Sequence, residues 1–432
     1  MSSICVHGLG YIGLPTAAML ANNGHSVRGY DIDAARVKRL EEGESSIDEP
    51  GLDDFVQTAI ESGALTVTTE IRPAEYHVIC VPTPFDVEQR EADLSYVRAA
   101  SRTVRSELRE GDTIILESTV PPGTTDTVIR PIVEESGLVA GDDFGLSYSP
   151  ETVLPGNILE ELRENDRIVG GISEESTTAA IDLYGSFVQG DIHTTADTTT
   201  AEFVKLIQNT FRDTNIALAN ELAKIARDHD IDAREAIRLA NEHPRVDIHH
   251  PGPGVGGHCL PIDPWFLGQN SDELDLVSTA RQVNDGMTEY IVELLRKELG
   301  ALEGQRIAIL GIAYKGNVDD IRNSPGLALA RSLQSAGQMT ASVVAPDGGK
   351  AGASIDIRLN DPHVNDQTLN LRPIEEATDA ADAVVIATDH TEYTQIDPRE
   401  LRERMDGETV LDTKALVDPT QWEAAGLDVV RL

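Results

Sequence analysis

The chain has 432 residues, too many for one ordinary core at about 100 to 200 residues per domain, and three domains are expected. Hydrophobic residues make up 40% and charged residues 25%, which excludes a disordered chain in spite of only 4% aromatics. The formal charge of −39, from 74 acidic and 35 basic residues, repels nucleic acid and anionic membrane surfaces and excludes both as natural partners.

Acidic clusters at Glu41-Glu42, from Glu107 to Asp112 and at Glu160-Glu161 are spread along the chain. With a pI near 4.5 they point to a halophilic protein, kept soluble in concentrated salt where screening removes self-repulsion. The cysteines Cys5, Cys80 and Cys259 form neither a disulfide framework nor a zinc-type spacing, so no metal is expected and the reducing cytoplasm is the expected compartment. No stretch approaches the roughly 18 to 20 apolar residues of a membrane span, and the first residues read as a strand rather than a signal peptide.

In chain order, Ser3 to His7, a glycine turn, a helix from Pro15 to Asn22 and a strand from Ser26 to Tyr30 make a βαβ unit. Apolar runs at His77–Val81, Thr113–Glu117, Phe144–Tyr148 and Asp166–Gly170 extend it into a doubly wound parallel sheet, with Cys5 and Cys80 as packing residues of its strands. A threonine-rich connection, 194–200, precedes a long helix for which Thr199 and Glu202 have the spacing of a capping box. Phe203, Leu206, Ile207, Leu218, Leu222 and Ile225 supply its apolar stripe. Lys205, Asn209 and Arg212 share another face, whose ordinary fate is solvation. The proline- and glycine-rich segment from His250 to Cys259 excludes regular structure. Strands at Gln305–Gly311, Ser342–Ala345, Ala383–Ala387 and Thr409–Asp412 build a second α/β domain.

The fold expected is therefore α/β, with two Rossmann-like doubly wound domains joined by a central helical domain. The boundaries expected are 1–196 for the first α/β domain, 197–300 for the helical part and 301–432 for the last domain.

Gly8-Leu9-Gly10-Tyr11-Ile12-Gly13 is the G-x-G-x-x-G fingerprint in its proper place, after a strand and opening a helix, and Asp31 closes the next strand. Such glycines bring the backbone close to a pyrophosphate, and an acid at Asp31 accepts from the adenosine ribose, favouring NAD over NADP. Thr83 and Thr119 follow strands at the ligand-binding edge, although each is equally a plain turn residue on composition alone. Cys259 stands in a glycine-rich loop with Asp263 four residues on. A thiol attacks carbonyl carbon only as thiolate, which a nearby cation such as Lys205 favours. His258 beside it is equally a structural residue.

These motifs, with Glu117-Ser118-Thr119-Val120-Pro121-Pro122-Gly123, Ser149-Pro150-Glu151, Lys205 with Asn209, Gly256-Gly257-His258-Cys259 and Ala313-Tyr314-Lys315-Gly316, resemble the UDP-glucose/GDP-mannose dehydrogenase family over essentially the whole chain. The resemblance implies an NAD domain, a central dimerisation domain and a UDP-sugar domain in a homodimer or higher homo-oligomer. Thr152-Val153-Leu154-Pro155-Gly156, Asn209-Thr210-Phe211-Arg212-Asp213 and His243-Pro244-Arg245-Val246 are most similar to the branch acting on UDP-N-acetyl-D-mannosamine. UDP-glucose is the alternative; enzymes for it usually carry a glutamate where Pro155 stands, whereas Thr152 replaces an arginine found in many N-acetylmannosamine enzymes. A two-electron hydroxyacid dehydrogenase is a more distant reading.

The implied activity is a four-electron oxidation of the sugar C6 to a carboxylate, through a thiohemiacetal and a thioester on Cys259. The resemblance gives Lys205, Asn209, Asp263, Glu151 and Thr119 catalytic roles. It puts Tyr11, Ile12, Arg36 and Arg322 on the cofactor with the fingerprint glycines, Asp31, Thr83 and Thr119. It puts Glu151, Thr152, Val153, Lys205, Asn209, Arg212, His243, Gly254, Gly256, Tyr314, Lys315 and Lys414 on the nucleotide sugar, and Arg245 at a neighbouring subunit's site.

Overall fold

The computed structural model describes residues 1–45, 47, 49–343 and 354–432. They form two compact units, one of residues 1–208 with 265–272 and the other of 209–264 with 273–432.

The first unit is built on β1 (Ser3–His7), β2 (Ser26–Tyr30), β3 (Leu65–Thr68), β4 (Tyr76–Ile79), β7 (Thr113–Leu116), β8 (Gly145–Tyr148), β9 (Arg167–Gly171) and β10 (Ile192–Thr194), with a small hairpin of β5 (Phe85–Asp86) and β6 (Glu91–Ala92). The sheet order is β10-β9-β8-β7-β4-β1-β2-β3. Its central strands are apolar on both faces because both are covered: Thr113–Leu116 is buried at every position. From β1 the chain winds to β2 and β3 on one side and then returns to β4 and β7 on the other, which makes the carboxyl ends of β1 and β4 the switch point where such sheets bind ligands. The pairing of β8 with β9 is antiparallel, so the parallel sheet expected through Gly170 ends at β8. An antiparallel edge on a parallel sheet leaves no trace in hydrophobic pattern, which is why the reversal was not legible.

The second unit carries a parallel sheet in the order β12-β11-β13-β14-β15, from β11 (Arg306–Leu310), β12 (Asp356–Asn360), β13 (Ala383–Ile386), β14 (Thr409–Asp412) and β15 (Asp428–Arg431). The strand expected over Ser342–Ala345 is not there: Ser342 and Val343 end the helix Pro325–Val343, and residues 344–345 lie outside the described ones. A short apolar, β-branched run reads as either element, whereas the alternating Asp356-Ile357-Arg358-Leu359-Asn360 is the strand.

The long helix, Thr198–Asp228, begins differently from expectation. Asp197 Oδ1 accepts the Thr200 N–H at 2.7 Å, so Asp197 rather than Thr199 caps it. The Glu202 carboxylate, freed from a capping box, accepts from the N–H groups of Gly123 and Thr125 and from the Thr125 hydroxyl. The helix also inverts the expected amphipathicity. Leu206 is buried, but Phe203, Ile207, Phe211, Leu218 and Ile225 are exposed, while Glu202, Lys205, Asp213 and Asn220 face inward. Each of these four has a partner, which is the condition for burying it.

Candidate active site

In the first unit the backbone between β1 and the helix Gly13–Asn22 turns as tightly as atoms allow. A Cβ on Gly13 would lie 1.9 Å from the Gly8 carbonyl oxygen, and one on Gly8, at φ +91°, 2.7 Å from the Cys80 oxygen. Gly10, by contrast, has open space where a side chain would project. Glycine is thus required twice for packing and once leaves room for a pyrophosphate at the helix N-terminus. Asp31 is buried beside this turn, accepting the Leu9 N–H at 2.8 Å and the Asp33 N–H at 2.9 Å, and pairing with Arg36 at 2.8 Å. Tyr11 donates its hydroxyl to Glu49 at 2.9 Å, and Ile12 is the helix cap. Thr83 donates to the Thr119 carbonyl at 2.7 Å, tying the loops after β4 and β7 together.

Beneath them Glu117, fully buried, accepts from Arg167 and Tyr184 at 2.7 Å each and from the Cys80 thiol at 3.0 Å. Burial, reinforced by Glu117, pushes the Cys80 thiol well above its usual range, so it is a packing group and not a nucleophile. Cys5 is likewise buried, its thiol pushed up to about 12. Glu151 and Lys205 come together: the ammonium donates to the Glu151 carbonyl at 2.7 Å and to its carboxylate at 3.0 Å, both side chains largely buried. The Glu151 carboxylate also accepts the Val153 N–H at 2.9 Å, and the Thr152 carbonyl accepts from Asn165 at 3.2 Å, so this turn is ordered. Lys205 is therefore not on a solvated face, and Glu151 is not a free surface carboxylate.

In the second unit Cys259 is exposed at the end of the glycine loop. Its carbonyl accepts the Ile262 and Asp263 N–H groups at 3.0 and 2.8 Å, starting the short helix at Asp263. Asn209 donates to the buried Asp263 carboxylate at 2.6 Å, bringing these two candidates together. The loop lies against the segment after β11: a Cβ on Gly256 would come within 2.7 Å of the Asn323 oxygen and 2.8 Å of Tyr314. Gly254, at φ +126°, has the Asn284 oxygen 3.1 Å from its would-be Cβ. Tyr314 is half-buried, and burial with the charges of Asp320 and Cys259 raises its phenol. Burial and the Arg322 charge hold the His258 imidazole down, favouring its neutral form.

Arg322 itself is paired with Asp320 at 2.6 to 3.0 Å. Lys315 and Arg212 are exposed, His243 and Arg245 lie exposed on one turn, and Lys414 pairs with Asp389 at 3.5 Å after β14. The sequence reading missed Asn220, Asn284 and Asn323, which hold the cysteine loop, and Asp361 and His390, which organise the turn after β11. None lies in a motif; buried amides and carboxylates are visible only once their partners are.

A dinucleotide fingerprint on one Rossmann sheet, and an exposed cysteine on a glycine loop packed beside a second such sheet's turn, define a dehydrogenase with two nucleotide-type domains. Residues 2–188, 199–286 and 308–419 match the NAD-binding, central and UDP-binding domains of the UDP-glucose/GDP-mannose dehydrogenase family. The chain is similar to a UDP-N-acetyl-D-mannosamine dehydrogenase of Methanococcus aeolicus, at 42% identity over 99% of this chain and 94% of that one. The structure of a UDP-D-ManNAc dehydrogenase from Pyrococcus horikoshii superposes with a TM-score of 0.89 at 39% identity, covering 99% and 98% of the two chains. An NDP-N-acetyl-D-galactosaminuronic acid dehydrogenase of Ralstonia nicotianae is 39% identical over 96% of both. The chain belongs to the UDP-glucose/GDP-mannose dehydrogenase family and is an NAD-dependent nucleotide-sugar dehydrogenase.

Proposed function

We propose that this enzyme oxidises UDP-N-acetyl-D-mannosamine at C6 to the uronate. The observation that carries the substrate is the full-length likeness to relatives bearing that activity in their names. Its NAD-binding domain spans 1–196, its helical domain 197–300 and its UDP-sugar domain 301–432.

Gly8, Gly10, Tyr11, Ile12, Gly13, Asp31 and Arg36 would hold NAD, with Thr83, Thr119 and Arg322, and the open space at Gly10 fits a pyrophosphate there. NAD, when bound, accepts one hydride at each of the two oxidations. The Cys259 thiolate adds to the intermediate aldehyde carbon to give a thiohemiacetal, whose oxidation leaves a thioester; water then displaces the thiol and gives the carboxylate. Lys205 steadies the negative oxygen at each addition, Glu151 takes the proton of the attacking water, and Asn209 and Thr119 hold water or substrate. Asp263, fixed by Asn209, orients the thiol's helix turn. Thr152, Val153, Arg212, His243, Gly254, Gly256, Tyr314, Lys315 and Lys414 contact the nucleotide sugar, and Arg245 reaches that of a neighbouring subunit. Cations suit its diphosphate because they offset its negative charge, and arginine adds oriented bidentate hydrogen bonds.

The exposed Phe203, Ile207, Phe211, Leu218 and Ile225 along one helix support a homo-oligomer, since such a stripe gains stability when covered. The acidic surface supports activity in molar salt. Among the described residues no helix is long and apolar enough to cross a membrane, which is compatible with the expected cytoplasmic location.

The test is NADH formed per sugar consumed in molar salt, with UDP-N-acetylmannosamine, UDP-N-acetylgalactosamine and UDP-glucose in parallel and Cys259→Ser as control. Two NADH from the first sugar, abolished in the variant, is the expected result. Turnover confined to another sugar overturns the substrate, and one NADH per sugar overturns the thioester route.

A further inference from the structure

The loop that presents Cys259 starts with Pro251-Gly252-Pro253-Gly254, a sequence with few means of fixing its own position. Proline lacks the N–H and glycine lacks the side chain by which a loop usually anchors itself. Its anchorage comes from polar side chains buried in the helices of the second unit. Asn220, on the long helix, accepts the Gly252 N–H at 2.8 Å and donates to Asn284 Oδ1 at 2.9 Å. Asn284 donates in turn to the backbone oxygen and the carboxylate of Asp213, at 2.9 Å each. Arg281 donates to the same Asp213 carboxylate at 2.6 Å. The Asn284 carbonyl is also what a Cβ on Gly254 would meet. Asp213, Asn220, Arg281 and Asn284 are 0, 0, 3 and 1% exposed.

Stability alone gives no reason to place an ion pair and two amides there. Desolvating the ions costs several kcal/mol each, and apolar side chains of similar volume often serve as well. What the network has that an apolar cluster lacks is direction: it ends on one specific N–H of the cysteine loop. A second anchor follows closely, where Gly257 donates its N–H to the Arg322 carbonyl at 2.9 Å and accepts from the Asn323 amide at 2.9 Å. Cys259 is two residues further, and beyond it Asp263 is held by Asn209. Asn209, Asp213 and Asn220 recur at i, i+4 and i+11 on one helix and so share a face. One helix face therefore grips the chain both before and after the cysteine.

We propose that Asp213, Asn220, Arg281 and Asn284 are positioning residues that set the place and ionisation environment of Cys259 through Gly252, an inference that rests on Cys259 being the nucleophile. The network transmits no proton and touches no substrate. It decides where the thiol stands when the aldehyde forms.

The test uses the full-length enzyme and two readouts. The first is alkylation of Cys259 by iodoacetamide as a function of pH, followed by intact mass without substrate, with Cys259→Ser as blank for the two inner thiols. The second is steady-state kinetics. In Asn220→Ala the alkylation midpoint moves by about half a pH unit or more, and kcat falls by roughly ten- to a hundredfold, while KM for NAD stays within about twofold. Asn220→Asp, which keeps an acceptor for Gly252 but sets a buried carboxylate oxygen against Asn284 Oδ1 and so breaks that link, recovers little of the rate. If Asn220→Ala does not fold, Asn284→Ser breaks the middle of the network without changing charge and gives the same two shifts. A lower melting temperature with alkylation profile and kcat unchanged in the folded variants makes the network mere support and overturns the proposal. If alkylation of the unaltered enzyme fails to stop turnover, the nucleophile assignment falls, and with it the proposal. If no UDP-sugar is turned over, the substrate reading falls and the alkylation profile alone decides the positioning role.

Discussion

The two Rossmann-like sheets share a device and use it for different ends. After β1 the strand-to-helix turn closes with Gly13 packed on the Gly8 oxygen; after β11 the equivalent closure is Gly326, whose would-be Cβ lies 2.3 Å from the Gly311 oxygen. In the first case the glycines are five residues apart, and the turn is a bare backbone nest. In the second they are fifteen apart, and the longer loop carries Tyr314, Lys315, Asp320, Arg322 and Asn323, several of which meet the cysteine loop. The acids that close the neighbouring strands differ in the same sense. Asp31 accepts from Leu9, Asp33 and Arg36, which leaves one of the roughly four lone-pair positions of a carboxylate for a further donor. Asp361 accepts from the N–H groups of Ile312, Ala313, His363 and Val364 and pairs with His390, and is full. One turn is built to receive a dinucleotide; the other spends its acid on holding a platform of side chains.

The strongest way to break this comparison is to add a methyl to each glycine system. Gly256→Ala drives its Cβ into the Asn323 carbonyl and the Tyr314 Cβ and is expected to cut kcat by roughly a hundredfold, with NADH affinity, read by fluorescence, within about threefold of the parent. Gly13→Ala does the reverse, abolishing measurable NADH binding at a stability cost of about 1 to 3 kcal/mol. Loss of NADH binding in the first variant, or its retention in the second, would sink the division of labour.

A smaller effect separates the two acids. Asp31→Ser is expected to lower the ratio of kcat/KM for NAD over NADP by roughly tenfold. Asp361→Asn should leave that ratio unchanged and cost about 1 to 3 kcal/mol in urea titration, because buried donors lose their acceptor.

The smallest effect is in acid, and the two halves lose stability in different windows. Burial drives the facing His7 and His77 imidazoles, 3.1 Å apart, to neutrality, His77 down to about 4. Their folded pKa values lie below the unfolded value of 6.5, so their contribution is whole above that pH and is lost progressively as pH falls toward 4. Burial alone would raise the Asp361 carboxyl, but His390 and the surrounding N–H groups outweigh it and hold it near 2, below the unfolded 3.8, so its contribution is lost only between about pH 4 and 2. Replacing His77 by leucine should flatten the upper window alone, and Asp361→Asn the lower, in urea midpoints taken across pH. A variant that flattens the other window refutes the assignment.

Much of the first site could be read without coordinates because its chemistry is local. Gly8, Gly10, Gly13 and Asp31 act through a strand, a turn and a helix start within one βαβ unit, so spacing carries the geometry. Cys259 and Lys205 stand out through motif order, yet their surroundings do not. The capping box assigned to Thr199 and Glu202 failed because the carboxylate found three donors some 77 residues away in sequence. The apolar stripe of the long helix splits, Leu206 facing inward and Phe203, Ile207, Leu218 and Ile225 outward. Periodicity tells which residues share a face and is silent on which face meets the protein.

Sequence by itself determined the two doubly wound halves and the tight glycine turn that opens the first, because each follows from residues close in the chain and from steric rules that hold in any fold. Only the tertiary structure decided that Lys205 lies against Glu151, that Asn209 holds Asp263, that Asp361 is consumed by its own loop, and that Asp213, Asn220, Arg281 and Asn284 grip the loop of Cys259. A buried polar group is tolerable only with its partner, and the partner is brought by the fold from a distance at which sequence spacing carries no information.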